Sequence, residues 1–290
     1  MARELTFIYI VEPPEYDILA CYLLASIRTH FPDTVRAIGY CPEHRMTELH
    51  PSVFRAHEIM GAEIRPMRTK GMWDDDYPHG NKILAALAPR EASGFTAFVD
   101  SDVLFMRDNT PDAIARPDAV SCSAAASLIW ADDEIWSDIY GAFDMPVPED
   151  RIHLMRRSSE PRVPYYSSGF VVFPETAGPQ GRFPDIWYDT ARRIDRIETL
   201  DNRRPYLDQM SLPVAIRRSG LDWNELPEEQ HFILGGKLRG QPLPEDRDIY
   251  AVHYRHTGVL RETGLNKVAR AKLAAQTGQK YVRRLTEDEG

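Results

Sequence analysis

The chain has 290 residues, 43% hydrophobic and 27% charged, with a formal net charge of −9. That is enough apolar material for the core of one large domain, and the acidic balance works against a nucleic-acid partner, whose phosphates it would repel. The three cysteines, Cys21, Cys41 and Cys122, are odd in number and form no CxxC pair. They argue against a disulfide framework or a zinc site and predict buried thiols in a reducing compartment.

Thr6 to Val11 is a continuous apolar and β-branched run, the pattern of a strand covered on both faces in a parallel sheet. It is too short for a signal core or a bilayer span, and no later run is long enough either, so a cytoplasmic location is expected. After Pro13-Pro14, the apolar stripe Ile18, Leu19, Tyr22, Leu23, Ile27 and Phe31 predicts a helix over 16–31. Strands are expected over 35–40 and 62–67, with a helix over 50–60 between them and Gly61 as its C-cap. A short helix over 81–87 closes at Pro89, and a fourth strand, Thr96 to Val99, leads into Asp100. Strand and helix thus alternate through the first hundred residues, which predicts an α/β domain with ligands at the carboxyl ends of a mainly parallel sheet. Neither a GxGxxG fingerprint after the first strand nor a GxxxxGK[ST] loop occurs, which disfavours a Rossmann dinucleotide site and a P-loop.

The second half is less regular. Strands are expected over 119–129, 166–173 and 249–254, and helices over 183–197, over 206–217 despite Pro213, and over 264–284. The Pro-rich, charged stretch 143–164 reads as a long loop of the kind that is usually functional or mobile. No repeat or linker divides the chain. The basic residues of the last helix, Lys267, Arg270, Lys272, Lys280, Arg283 and Arg284, precede the acidic Glu287, Asp288 and Glu289 and suit a solvated helix better than a membrane surface.

The chemistry centres on Asp100-Ser101-Asp102, where an apolar strand ends in two carboxylates one residue apart. Hard oxygen ligands so placed suit Mg²⁺ or Mn²⁺ bridging protein to substrate phosphates, although two solvated aspartates in a turn would leave the same pattern. The run Phe98-Val99-Asp100-Ser101-Asp102-Val103-Leu104-Phe105 resembles the DxD segment of GT-A fold glycosyltransferases, particularly the glycogenin-like and bacterial galactosyltransferase enzymes of family 8. Four further blocks are similar to that family's in the same order: Asn81-Lys82-Ile83-Leu84, Tyr166-Ser167-Ser168-Gly169-Phe170, Leu207-Asp208-Gln209 and Val252-His253-Tyr254.

The resemblance implies a single GT-A (Rossmann-like) α/β domain over 1–290, its mixed, mainly parallel sheet flanked by helices. A nucleotide-binding half would span 5–105, a sugar and acceptor half 106–260, and a C-terminal helix 261–290. It implies a metal-dependent hexosyltransferase that uses a nucleotide-sugar, expected to be a UDP-hexose, with retention of configuration and with no nucleic-acid partner. Asp100, Asp102 and His253 would hold Mn²⁺ or Mg²⁺. Val11, Glu12, Lys82, Ser101, Ser168, Gly169 and Arg255 would contact the donor, and Asp208 and Gln209 would flank the transferred sugar. The sequence departs from the family where its asparagine is Ser167 and where Lys-Pro-Trp is missing after His253, so the pyrophosphate contact either passes to Arg255, His256 or Lys267 or is missing.

Several residues carry a second reading. His253 could be a hydrogen-bonded core histidine, Asp208 an N-cap, Lys82 a solvated helix residue and Gly169 a bulge; Trp73 to Tyr77, whose carboxylates and aromatics would suit sugar hydroxyls and C–H faces, reads better as a solvated loop. A sugar-nucleotide nucleotidyltransferase and a non-catalytic carbohydrate- or nucleotide-binding protein of the same fold are the rival functions; the acidic, glycine-free Glu12-Pro13-Pro14-Glu15 counts against the first.

Overall fold

The computed structural model describes residues 4–91, 94–128, 130–155, 160–176, 178–201 and 203–285. It begins with β1 (Leu5–Ile10), α1 (Tyr16–His30), β2 (Arg36–Pro42), α2 (Pro51–Ile59), β3 (Glu63–Met67), α3 (Asn81–Leu87) and β4 (Phe95–Val99). All seven fall where the hydrophobic pattern predicts them, and Gly61 follows α2 with a φ of +61°. The chain continues through β5 (Val103–Phe105), α4 (Pro111–Ile114), β6 (Ala119–Ala124), α5 (Ile135–Gly141), β7 (Tyr166–Pro174), α6 (Phe183–Asp195) and α7 (Leu207–Ser219). It ends with β8 (Asp222–Glu225), β9 (Phe232–Ile233), β10 (Ala251–His253), α8 (Thr257–Glu262) and α9 (Leu265–Thr277).

Seven strands form one sheet in the order β3-β2-β1-β4-β7-β6-β8. The pairs among β3, β2, β1 and β4 are parallel, β7 runs antiparallel to both β4 and β6, and β6 pairs parallel with β8. The sheet is therefore mixed and mainly parallel. Its apolar runs feed two cores. Phe7, Tyr9, Ala97 and Val99 pack with α1, α2 and α9 on one side, while Ile8, Ile38, Phe98 and Val171 pack with α3, α6 and α7 on the other. This two-sided burial is why the central strands β1 and β4 are mostly apolar along their length rather than alternating, while β3 and β8 at the sheet edges carry charged residues.

Four expectations need correction. The strand from 119 stops at Ala124, and Ile129 lies outside the described residues. The last strand is only Ala251–His253, because Arg255 turns the chain with a φ of +68°. The helix expected over 264–284 ends at Thr277, because Gly278 takes a φ of +76°, a left-handed conformation that side chains resist; only a short 3₁₀ turn, Val282–Arg284, follows. The short elements β5, β8, β9, α4, α5 and α8 are missing from the sequence reading. The described part of 143–164 holds only an isolated bridge, Ile152 to Arg162, with 156–159 outside the described residues, as are Glu287, Asp288 and Glu289. All three cysteines are buried. No helix among the described residues is long and apolar enough to cross a membrane.

A second sheet, β5-β10-β9, governs the site. β10 pairs antiparallel with β5, with His253 opposite Val103. Since β5 begins directly after Asp102, this register brings His253 beside the aspartates.

Candidate active site

Asp100, Ser101 and Asp102 form the turn between β4 and β5. The Asp100 amide donates to the Gly169 carbonyl at 2.8 Å, Val103 N to the Asp100 carbonyl at 3.0 Å, and Tyr254 N to the Asp102 carbonyl at 3.0 Å. The Ser101 hydroxyl donates to the Ile10 carbonyl, tying the turn to β1. The His253 Nε2 is 3.1 Å from Asp102 Oδ1 and 3.9 Å from Asp100 Oδ2. One ligand atom from each of Asp100, Asp102 and His253 lies within 4.8 Å of the other two, a spacing one divalent ion can bridge. Two carboxylates and an imidazole suit Mn²⁺ or Mg²⁺ as a donor set.

Lys82 reaches the same cluster from α3. Its Nζ lies 3.1 Å from Asp100 Oδ1, 3.0 Å from Asp208 Oδ2 and 3.2 Å from Ser168 Oγ. The solvated reading of Lys82 therefore falls, because only 11% of its side chain is exposed. Asp208 does not cap α7 either. Its carboxylate accepts from Ser168 Oγ at 2.5 Å and from the Tyr77 hydroxyl at 3.1 Å, and that same hydroxyl oxygen accepts from the Asp208 amide.

These contacts set the charge states. Burial alone would push the Lys82 ammonium down, but the Asp100 and Asp208 carboxylates outweigh it and hold it above its ordinary value. Burial would raise Asp208, but Lys82, Ser168 and Tyr77 hold it below the usual carboxylate range. Burial likewise opposes ionised Asp102, and His253 and Lys82 reverse that. Asp100 ends above its ordinary value, since burial and the charge of Asp102 prevail over Lys82 and His253. Three carboxylates thus meet one lysine, an excess of negative charge that a divalent cation would offset.

A cavity of about 520 Å³ opens over this cluster. Glu12, Lys82, Asp100, Ser101, Asp102, Asp208, Gln209, His253 and Arg255 all line it. Glu12 is held there by Arg45 at 3.0 Å and Asn81 at 3.2 Å. The other predicted donor contacts lie elsewhere. The Val11 side chain is buried against Gly39, and its neighbours Ile10 and Glu12 line the cavity instead. Ser168 is fully buried beneath Asp208, while Ser167 lines the cavity. His256 and Lys267 are not among the lining residues.

Gly169 satisfies its bulge reading. Between the pairs Cys122 to Val171 and Ala124 to Tyr166 the strands β6 and β7 lose register, a disruption that re-aims side chains. It also makes room: a Cβ on Gly169 would lie 2.8 Å from Asp100 Oδ2 and 2.9 Å from His253 Cε1. Sequence reasoning missed Tyr77 as a partner of Asp208, since Trp73 and Tyr77 are buried rather than solvated and only Asp74, Asp75 and Asp76 face solvent. It also missed Trp130 and Tyr206, stacked at 4.6 Å with 5° between their planes at the cavity wall, and His231, which no motif marks.

Comparison with known proteins bears on the family and the fold. A family model described as "Rhodobacterales glycosyltransferase domain" matches residues 7–220. No curated protein matches the sequence. The fold is similar to that of galactosyltransferase LgtC solved with donor and acceptor sugar analogues, with a TM-score of 0.55 at 13% identity over 90% of this chain and 94% of that one. It is also similar to mouse xyloside xylosyltransferase 1 without ligand, with a TM-score of 0.54 at 8% identity over 88% of this chain and 98% of that one.

Proposed function

The chain belongs to the Rhodobacterales glycosyltransferase domain family and is a glycosyltransferase of GT-A fold resembling family 8; from that premise we propose that it transfers a hexose from UDP-hexose to an acceptor, with retention of configuration and with Mn²⁺ or Mg²⁺. The observation that carries this reading is the meeting of Asp100, Asp102 and His253 within 4.8 Å on the wall of a cavity of about 520 Å³. Asp100, Asp102 and His253 would hold the ion, and it would supply Lewis-acid stabilisation of the departing diphosphate.

The chain's own groups do the rest. The nucleotide lies over residues 5–105, with Glu12, fixed by Arg45 and Asn81, at its base end. Lys82 keeps Asp208 ionised and pairs with both Asp208 and Asp100 at the cavity wall. Arg255 brings a cation to the rim for the diphosphate. Asp208 and Gln209 take the transferred sugar: an ionised Asp208 accepts from sugar hydroxyls and stabilises positive charge growing at the anomeric carbon. The sugar and acceptor occupy the half formed by 106–260.

Thermal denaturation with a panel of UDP, GDP, CMP and ADP, each with and without Mn²⁺, tests this. A ligand specific to the folded state adds roughly 2.7 kcal/mol of stability at a hundredfold excess over its Kd. UDP is expected to raise the midpoint most, and only with metal. A larger rise with another nucleotide overturns the donor, and a rise independent of Mn²⁺ overturns the metal.

A further inference from the structure

Behind the metal-facing side of His253 stands a second histidine, His231, which is fully buried and absent from the cavity wall. The two rings stack with centroids 5.1 Å apart and 17° between planes, and Phe170 presents its ring at 85° to His231. His231 Nε2 is 3.0 Å from His253 Nδ1, and His231 Nδ1 is 3.0 Å from Ser123 Oγ. His253 directs its remaining nitrogen, Nε2, to Asp102.

A neutral imidazole carries one N–H. To ligate through Nε2, His253 must keep its proton on Nδ1, where His231 Nε2 has to accept it. His231 then carries its own proton on Nδ1 and donates it to Ser123 Oγ. Each imidazole N–H meets an acceptor along this line. The opposite arrangement, with His231 donating from Nε2, forces the His253 proton onto Nε2, where it blocks ligation. The line also crosses between sheets, since Ser123 belongs to β6 of the large sheet and His253 to β10 of the small one.

Resting on the metal reading above, we propose that His231, backed by Ser123, is a positioning residue that holds His253 in the ligating tautomer and orientation. It touches neither ion nor donor; it acts through the ring that does. Outer partners of metal-bound histidines characteristically fix tautomer and ring angle in this way.

The test is direct titration of Mn²⁺ into the protein, followed by loss of the free-ion electron paramagnetic resonance signal, for wild type, His231→Leu, His231→Gln and Ser123→Ala. Metal-free thermal midpoints are measured alongside. His231→Leu is expected to weaken Mn²⁺ binding about 10- to 100-fold, and His231→Gln, whose amide oxygen can accept in place of Nε2, to stay within about threefold of wild type. Ser123→Ala is expected to fall between them. Wild-type affinity in His231→Leu overturns the relay and leaves the metal reading standing. Equal losses in the Leu and Gln variants also overturn it, because then the acceptor is not what matters. Should His231→Leu fail to fold, the Gln and Ala variants decide: wild-type affinity in both overturns the relay, while a loss in Ser123→Ala that His231→Gln does not share supports it. Failure of wild type to bind Mn²⁺ overturns the metal reading and the relay together.

Discussion

Two buried ionic clusters bridge the same pair of strands, β4 and β7, at opposite ends. At the N-terminal end of β4, Arg90 donates from Nε to Glu175 at 2.7 Å and to Thr96 at 3.2 Å, and from its other nitrogens to the carbonyls of Ala85, Ala86 and Ala88. Arg90 is 1% exposed and Glu175 4%; the partly exposed Arg182 also donates to Glu175 Oε2 at 3.2 Å, so positive charge is not in deficit, and the Arg90 donors are taken up by protein oxygens. At the C-terminal end, Lys82 is also buried, but Asp100, Asp102 and Asp208 crowd around it and turn oxygen atoms to a cavity. Burial does not separate the two clusters. Charge balance does: the first is complete within the chain, and the second is left short of positive charge where a ligand can enter.

The contrast is broken most sharply by removing one partner of the complete cluster. Arg90→Met should destabilise the fold by about 3 kcal/mol, because Glu175 loses its buried cation and keeps only the partly exposed Arg182 and the Thr96 hydroxyl. Arg90→Met with Glu175→Leu should recover most of that loss. Denaturant unfolding of both variants checks this. A double variant as unstable as the single one would mean that the hydrogen bonds to the three alanine carbonyls, and not the ion pair, hold that end of the sheet.

The site cluster should behave in the opposite way. Asp102→Asn should lower metal-dependent hydrolysis of UDP-hexose by about 10²–10³-fold, since it removes a ligand and half of the carboxylate pair. The metal-free fold should lose little stability, because the substitution relieves like charge beside Asp100. Turnover and thermal midpoint measured on one preparation separate the two effects. Wild-type turnover would remove Asp102 from the chemistry, whereas collapse of the fold would make this cluster as structural as that of Arg90.

The same contrast explains what the sequence disclosed. The run into Asp100 and the apolar strands before it are local patterns, so β1 to β4, their helices and the DxD turn could be placed from composition and period alone. His253 was legible only through the family resemblance, because a lone histidine in a short apolar strand reads equally as a core residue. Lys82 was ambiguous because helix periodicity does not say which face tertiary packing will cover. Ser168 was expected at the donor but is buried, while Ser167 lines the cavity, and the loss of register between β6 and β7 leaves no mark in a pattern of serines. Tyr77 and His231 act through contacts 131 and 22 residues away in the chain, a kind of information that no local window holds. The two-residue β9 is likewise too short to show a period, yet it flanks the strand that delivers His253.

The mildest way to sharpen the comparison is Gly169→Ala. Gly169 sits on β7, the same strand that leads into Glu175 at the other cluster, and it contributes to the site by what it lacks. An added methyl would stand 2.8 Å from Asp100 Oδ2 and 3.0 Å from His253 Nδ1, closer than unstrained packing permits. Overfilling of this kind costs about 1–3 kcal/mol when the surroundings must shift. Here the cheaper movement is that of the two ligand side chains, which border a cavity, so the loss should appear more in Mn²⁺ affinity than in metal-free stability. Mn²⁺ titration and thermal unfolding of the variant read the two separately. A full loss of stability with unchanged Mn²⁺ affinity would mean that β7 itself gives way, and that the ligand end of the strand is packed as rigidly as the end that holds Glu175.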